Sequence, residues 1–129
     1  MNKIVLGTAQ FGLDYGINNH NGKIVDSQVE SILNLALDNE ILNLDTAAAY
    51  GSSESIIGSF RKKNKAFKSF QITTKFKYKK GITIGHHVKD SIEKLNIKKL
   101  DSVLFHSYQD YIDFDLKSKP NNIKNIGVS

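Results

Sequence analysis

The 129-residue sequence has no cysteine, and only one proline. Without cysteine there is neither a disulfide framework nor a thiolate site. No apolar stretch approaches the ~20 residues of a membrane span, and the opening MNKIVLGTAQ lacks the long apolar block of a signal peptide. A soluble, cytoplasmic protein without membrane partners is expected. No linker-like or low-complexity segment divides the chain. Its hydrophobic content of 40% and aromatic content of 9% are ordinary, so a packed core is expected and wholesale disorder is not. The length suits one modest domain, taken here as residues 1–129.

Acidic residues are scarce in the second half. Residues 1–60 carry two lysines against seven acids, whereas residues 61–129 carry sixteen basic residues against six acids. The excess is densest from Arg61 to Lys80, with nine basic residues and no acid. Such a run could meet an anionic partner, nucleic acid or a phosphorylated ligand. A solvated face of a lysine-rich protein is the simpler reading, because aromatics are not interleaved as stacking platforms.

Five short runs read as strands: KIVLGT (3–8), ILNLD (41–45), FQITTK (70–75), DSVLFH (101–106) and NIGVS (125–129). They are apolar rather than alternating, as in a parallel sheet buried on both faces. Helices are expected between them. Ser27 and Glu30 have capping-box spacing, and Val29, Ile32, Leu33 and Ala36 form one stripe. A short helix is expected from near Ser53, with Ser52 and Ser53 as its cap. Another is expected near 86–96, with Val88, Ile92 and Leu95 inside and Asp90 paired with Lys94 outside. The first four strands begin about thirty residues apart, the length of a βαβ step. Neither G-x-G-x-x-G nor a G-x-x-x-x-G-K-[ST] loop occurs, so a barrel is favoured over the open dinucleotide-binding sheet.

Each proposed strand delivers a polar or special residue at its carboxyl end: Gly7-Thr8, Asp45, Lys75, His106 and Ser129. In parallel α/β folds that edge assembles active sites. Singly, each has a bland explanation: a helix cap, a surface lysine, a structural histidine. Convergence on one rim is harder to dismiss. Asp45 and Lys75 end adjacent strands and can pair, which offsets the penalty of ending an apolar run on a carboxylate. Tyr50, returned by the turn after Asp45, can bring its phenol near that ammonium, and a cation beside a phenol favours phenolate. The pair then suits proton transfer, with His106 positioned to hydrogen-bond the same substrate oxygen. His86-His87 lacks acidic partners, so no metal site is expected.

The segments LGTAQFG, LDTAAAYGSSESIIG, ITTKF, SIEKL…LDSVLFH and IKNIGVS together resemble the aldo-keto reductases, in the right order over nearly the whole chain. The resemblance implies an (α/β)8 barrel, NADPH as cofactor and an aldehyde or ketone as substrate. The opening GTAQFGLDYGI is most similar to reductases of bacterial surface-sugar pathways, which implies a sugar-related carbonyl. Carried over residue by residue, it places the catalytic tetrad on Asp45, Tyr50, Lys75 and His106. Tyr50 would be the general acid, Lys75 held by Asp45 would stabilise its phenolate, and His106 would orient the carbonyl. Gly7 and Thr8 match the turn beside the nicotinamide ribose, and Ser129 matches the serine of G-V-S-N, which bonds the carboxamide.

The family's chain is more than twice as long, and five strands cannot close an eight-stranded barrel. The expected fold is therefore α/β, a partial (β/α)8 TIM barrel of about four βα units plus the start of strand five. It reads as the N-terminal part of a reductase, inactive by itself, without the half that normally carries the pyrophosphate and adenosine sites. The fourth crossover, SYQDYIDFDLKSKPNNIK, leaves room for only a stunted helix. Two other readings stay open: a non-catalytic regulatory protein of the channel β-subunit kind, and, ranked below it, a nucleic-acid surface at 61–80.

Overall fold

The computed structural model describes residues 3–114 and 120–129. Five strands appear: β1 (Val5–Gly7), β2 (Asn43–Asp45), β3 (Gln71–Phe76), β4 (Leu100–Phe105) and β5 (Ile123–Val128). All neighbouring pairs are parallel, and the spatial order is β1-β2-β3-β4-β5. With right-handed crossovers, a strictly sequential order puts every connecting helix on the same face. A doubly wound sheet would instead reverse its order at a switch point. This sheet is the first part of a barrel wall.

Helix α1 (Ala9–Gly12) is a single turn after β1, and α2 (Asp26–Asp38) follows a long loop. Val29, Leu33 and Ala36 are buried on α2, and Ile32 packs at the margin of the core. The capping box is not formed. The helix begins one residue before Ser27, its N-cap is Val25, and no side chain caps it. Ser27 thus lies inside the first turn, where its carbonyl accepts from the Ser31 hydroxyl. Helix α3 (Ser53–Lys63) and a short 3-10 helix (Lys65–Ser69) lead into β3. Helix α4 (Ile84–Leu95) has Thr83 as N-cap, its hydroxyl accepting from the His86 N–H, and ends at Asn96 in the left-handed conformation. Val88 and Leu95 are buried there, and Asp90 pairs with Lys94 at 2.7 Å. Helix α5 (Tyr108–Asp113) has only six residues, as the short crossover requires.

A single apolar cluster joins the helices to the sheet. Phe11, Leu33, Leu44, Ile57, Phe67, Ile72, Leu95 and Phe105 are all nearly sealed from solvent. The expectation of strands buried on both faces is met on one face only. In β2, Leu44 is fully buried while Asn43 and Asp45 are half-buried. The helices cover the first face; the second faces the interior that a closed barrel would enclose. No helix among the described residues is long and apolar enough to cross a membrane.

Candidate active site

The carboxyl ends of the strands share one rim, and the ladder continues past each of them. Thr8 N–H donates to the Asp45 carbonyl, Thr46 N–H to Thr73, Ala48 N–H to Lys75, His106 N–H to Phe76 and Ser129 N–H to Phe105, all at 2.8–3.0 Å. Thr8, Asp45, Lys75, His106 and Ser129 are therefore each fixed in height by a neighbouring strand or the turn that continues it, whereas the Tyr50 N–H bonds within its own turn, to the Ala47 carbonyl.

Register explains the central pair. Asp45 stands opposite Thr73, and Lys75 lies two residues further along β3, on the same side of the pleat. The Lys75 ammonium reaches diagonally back and donates to both Asp45 oxygens at 2.6 Å and to the Thr46 carbonyl at 3.1 Å. Side-chain exposure is 6% for Lys75 and 33% for Asp45, so the cation is desolvated while the carboxylate keeps part of its water. Lys75 Nζ also lies 5.2 Å from the centroid of the Tyr50 ring. The Tyr50 and His106 rings meet edge to face, with centroids 6.3 Å apart. Burial lowers the pKa of His106 first, and the Lys77 and Lys75 charges lower it further, against weaker opposing effects of Asp110 and Asp45. Neutral imidazole is thus favoured. His106 Nδ1 is buried without a hydrogen-bond partner.

Two glycines set the Tyr50 turn. A Cβ on Gly12 would stand 1.8 Å from the Tyr50 carbonyl oxygen, and one on Gly51 would stand 2.4 Å from the Gly12 carbonyl oxygen. Gly51 also has φ of +55°, a conformation that costs most other residues energy. Helix α1 can therefore lie directly against the turn that presents Tyr50.

Below the rim is a buried polar layer that the sequence did not single out. Ser53 Oγ donates toward the Thr8 carbonyl and hydroxyl, both at 3.0 Å, and contacts the Thr46 hydroxyl at 3.1 Å. The Thr8 hydroxyl donates to the Asp45 carbonyl at 3.0 Å. The expected capping role of Ser52 and Ser53 is not found. Ser52 is the N-cap residue but its hydroxyl makes no capping bond, and Ser53 instead ties β1, β2 and α3 together. Next to it the buried Glu54 accepts a 2.6 Å hydrogen bond from Thr74. Ser53 and Glu54 directly follow the Y-G-S element, and nothing in residue type separates them from a helix cap.

The other expected contacts divide. Gly7 is exposed, and a Cβ there would meet nothing within 4 Å. Ser129 is exposed at the same rim. Thr8 has no exposed surface, so its side chain serves the layer beneath the rim. No group of three or more potential metal ligands exists among the described residues.

The family model for the aldo/keto reductase family matches residues 3–129. The chain belongs to that family. Among solved structures, an aldo-keto reductase of Pseudomonas aeruginosa is 26% identical, with a TM-score of 0.74 over 97% of this chain and 54% of its own. A second structure described as an aldo-keto reductase from that organism gives 26% identity and a TM-score of 0.73, covering 97% of this chain and 53% of that one. An aldo-keto reductase of Bacillus halodurans in its holo form shares the fold at 20% identity, with a TM-score of 0.70 over 98% of this chain and 45% of that one. Comparison with curated proteins finds no match. The chain spans about half the length of the aldo-keto reductase structures it matches.

Proposed function

We propose that this chain carries the proton-transfer end of an NADPH-dependent reductase acting on an aldehyde or ketone, including sugar-related carbonyls. The observation that supports it best is the buried Lys75 ammonium, clamped by Asp45 and lying over the Tyr50 ring, with His106 against that ring. When bound, the nicotinamide supplies the hydride. Tyr50 gives its phenolic proton to the carbonyl oxygen, and the neighbouring ammonium stabilises the phenolate left behind. Asp45 keeps that ammonium in place. His106, favoured in its neutral form, offers a ring N–H to the substrate oxygen and does not compete as the acid.

The residues present suit the nicotinamide end of the cofactor. Asp45 keeps a third of its side chain exposed, Gly7 leaves open space at its Cβ position, and Ser129 is exposed on the same rim. These three would make the direct contacts, with Thr8 holding Gly7 and Asp45 in register from below. A non-catalytic binding role on the same fold would leave these contacts unchanged, so turnover is the discriminating test. The chain is joined to the remaining βα units of the Pseudomonas aeruginosa structure, and NADPH oxidation is followed with a panel of aldehydes and ketones. Carbonyl-dependent oxidation is expected. Cofactor binding with no oxidation across the panel would favour the regulatory reading.

A further inference from the structure

Apart from Lys75 and Lys77, the basic run that begins at Arg61 has no place in the chemistry above, and the structure gives part of it a location. A cavity of about 570 Å³ opens at the amino ends of β3 and β4, at the end of the strands opposite the rim that carries Asp45. That size is within the usual range of roughly 300–1,000 Å³ for small-molecule pockets. Its walls combine Arg61 from the last turn of α3, Lys68 from the 3-10 helix, and Lys98 and Lys99 from the segment entering β4. Phe70 and Ile97 add apolar surface.

Arg61 distinguishes this cavity from a solvated lysine face. Only 8% of the residue is exposed. One guanidinium nitrogen, Nη1, donates to the Phe67 and Phe70 carbonyls at 2.7 and 3.3 Å, which fixes the plane of the group. Its Nε–H is buried and has no partner. Burial lowers the pKa of Arg61, and the Asp101 charge acts in the opposite direction. A desolvated guanidinium with an unused donor is an expensive arrangement unless an anion completes it.

The balance of charge points the same way. Asp101 is the acidic residue on the cavity wall, and its carboxylate already accepts from the Ile72 N–H at 3.1 Å. Helix C-termini carry about half a negative charge each, so the ends of α3 and α4 offset roughly one cation. Four basic side chains against Asp101 and two helix ends leave a net positive cavity.

We propose that this cavity binds a small phosphorylated ligand, its phosphate held by Arg61, Lys68, Lys98 and Lys99 and its organic part against Phe70 and Ile97. The site lies at the amino ends of β3 and β4, neither of which is an edge strand, and is independent of the carbonyl chemistry at the other rim.

The test uses the 129-residue chain and follows its backbone amide resonances during titration with inorganic phosphate and with phenyl phosphate. Sodium chloride at matched ionic strength is the control. Saturable shifts are expected at Gln71, Ile97, Lys98 and Lys99, with tighter binding of phenyl phosphate than of phosphate. The triple variant Lys68→Gln, Lys98→Gln, Lys99→Gln alters exposed side chains only and should weaken binding at least tenfold. Arg61→Lys, which keeps the charge but loses the planar fork, should weaken it as well. Shifts that chloride reproduces, or unchanged affinity in the triple variant, would overturn the proposal. Binding of a DNA or RNA oligonucleotide that phenyl phosphate fails to displace would overturn it too, and would assign the basic face to nucleic acid.

Discussion

The Lys75 ammonium sits 2.6 Å from both oxygens of Asp45, and the two partners are not equally buried: Lys75 is almost sealed, Asp45 is one-third exposed. Removing either leaves a different residue of charge. Asp45→Ala strands a buried cation with one carbonyl partner, whereas Lys75→Met fills the same space with an apolar chain and leaves a carboxylate that water can reach. Exposure of Asp45 places the pair between a surface bridge and a fully buried one, so Asp45→Ala should cost about 1–3 kcal/mol. Lys75→Met should cost clearly less. Urea unfolding of both variants checks the order, and a larger loss for Lys75→Met would contradict it.

The Tyr50 turn depends on glycine where α1 crosses it. Gly12→Ala would put a Cβ 1.8 Å from the Tyr50 carbonyl oxygen, and Gly51→Ala would add a clash at 2.4 Å to a positive φ. Each should destabilise the chain by roughly 1–3 kcal/mol. Gly7→Ala is the control, with nothing within 4 Å of its Cβ. It should be nearly neutral. Thermal melts of the three variants decide it: equal melting temperatures would show that the close approach of α1 is not maintained in solution.

Two histidines make stability depend on pH in one direction. Burial lowers the pKa of His106 and of His87, with nearby positive charges adding to it in both cases. A histidine whose folded pKa lies below its unfolded value binds fewer protons when folded, so stability rises with pH across the interval between them. Stability should accordingly be complete above the ordinary histidine value of about 6.5 and fall as the pH drops below it. Lys77→Gln removes the largest charge acting on His106 and should raise that residue's NMR titration midpoint. A midpoint that stays put or falls would remove Lys77 from the account.

The sequence shows the elements that repeat a period or end on an unusual residue. Apolar runs thirty residues apart made the parallel order readable, and Asp45 and Lys75 stood out because charge rarely ends a buried strand. Helix α4 was legible because Val88, Ile92 and Leu95 fall on one stripe. The start of α2 was not, because Ser27 and Glu30 match a capping box whose backbone turn actually comes earlier, at Val25. The burial of Ser53, Glu54 and Arg61 was not legible, for a common reason. A short polar or charged residue in a helix reads as surface or cap, and only the packing of β1, β2 and the 3-10 helix around them makes them interior.

Tyr50 as proton donor is the central claim, and Tyr50→Phe tests it most directly because it deletes one hydroxyl with little change in volume. The measurement is the steady-state rate of NADPH oxidation with an aldehyde, in the completed barrel, alongside NADPH binding by cofactor fluorescence. General acid catalysis contributes about 10²–10⁴-fold, so kcat should fall by roughly that factor. Cofactor affinity should be unchanged, since the lost hydroxyl acts on the substrate oxygen. A Phe variant that keeps near-wild-type turnover would contradict the account.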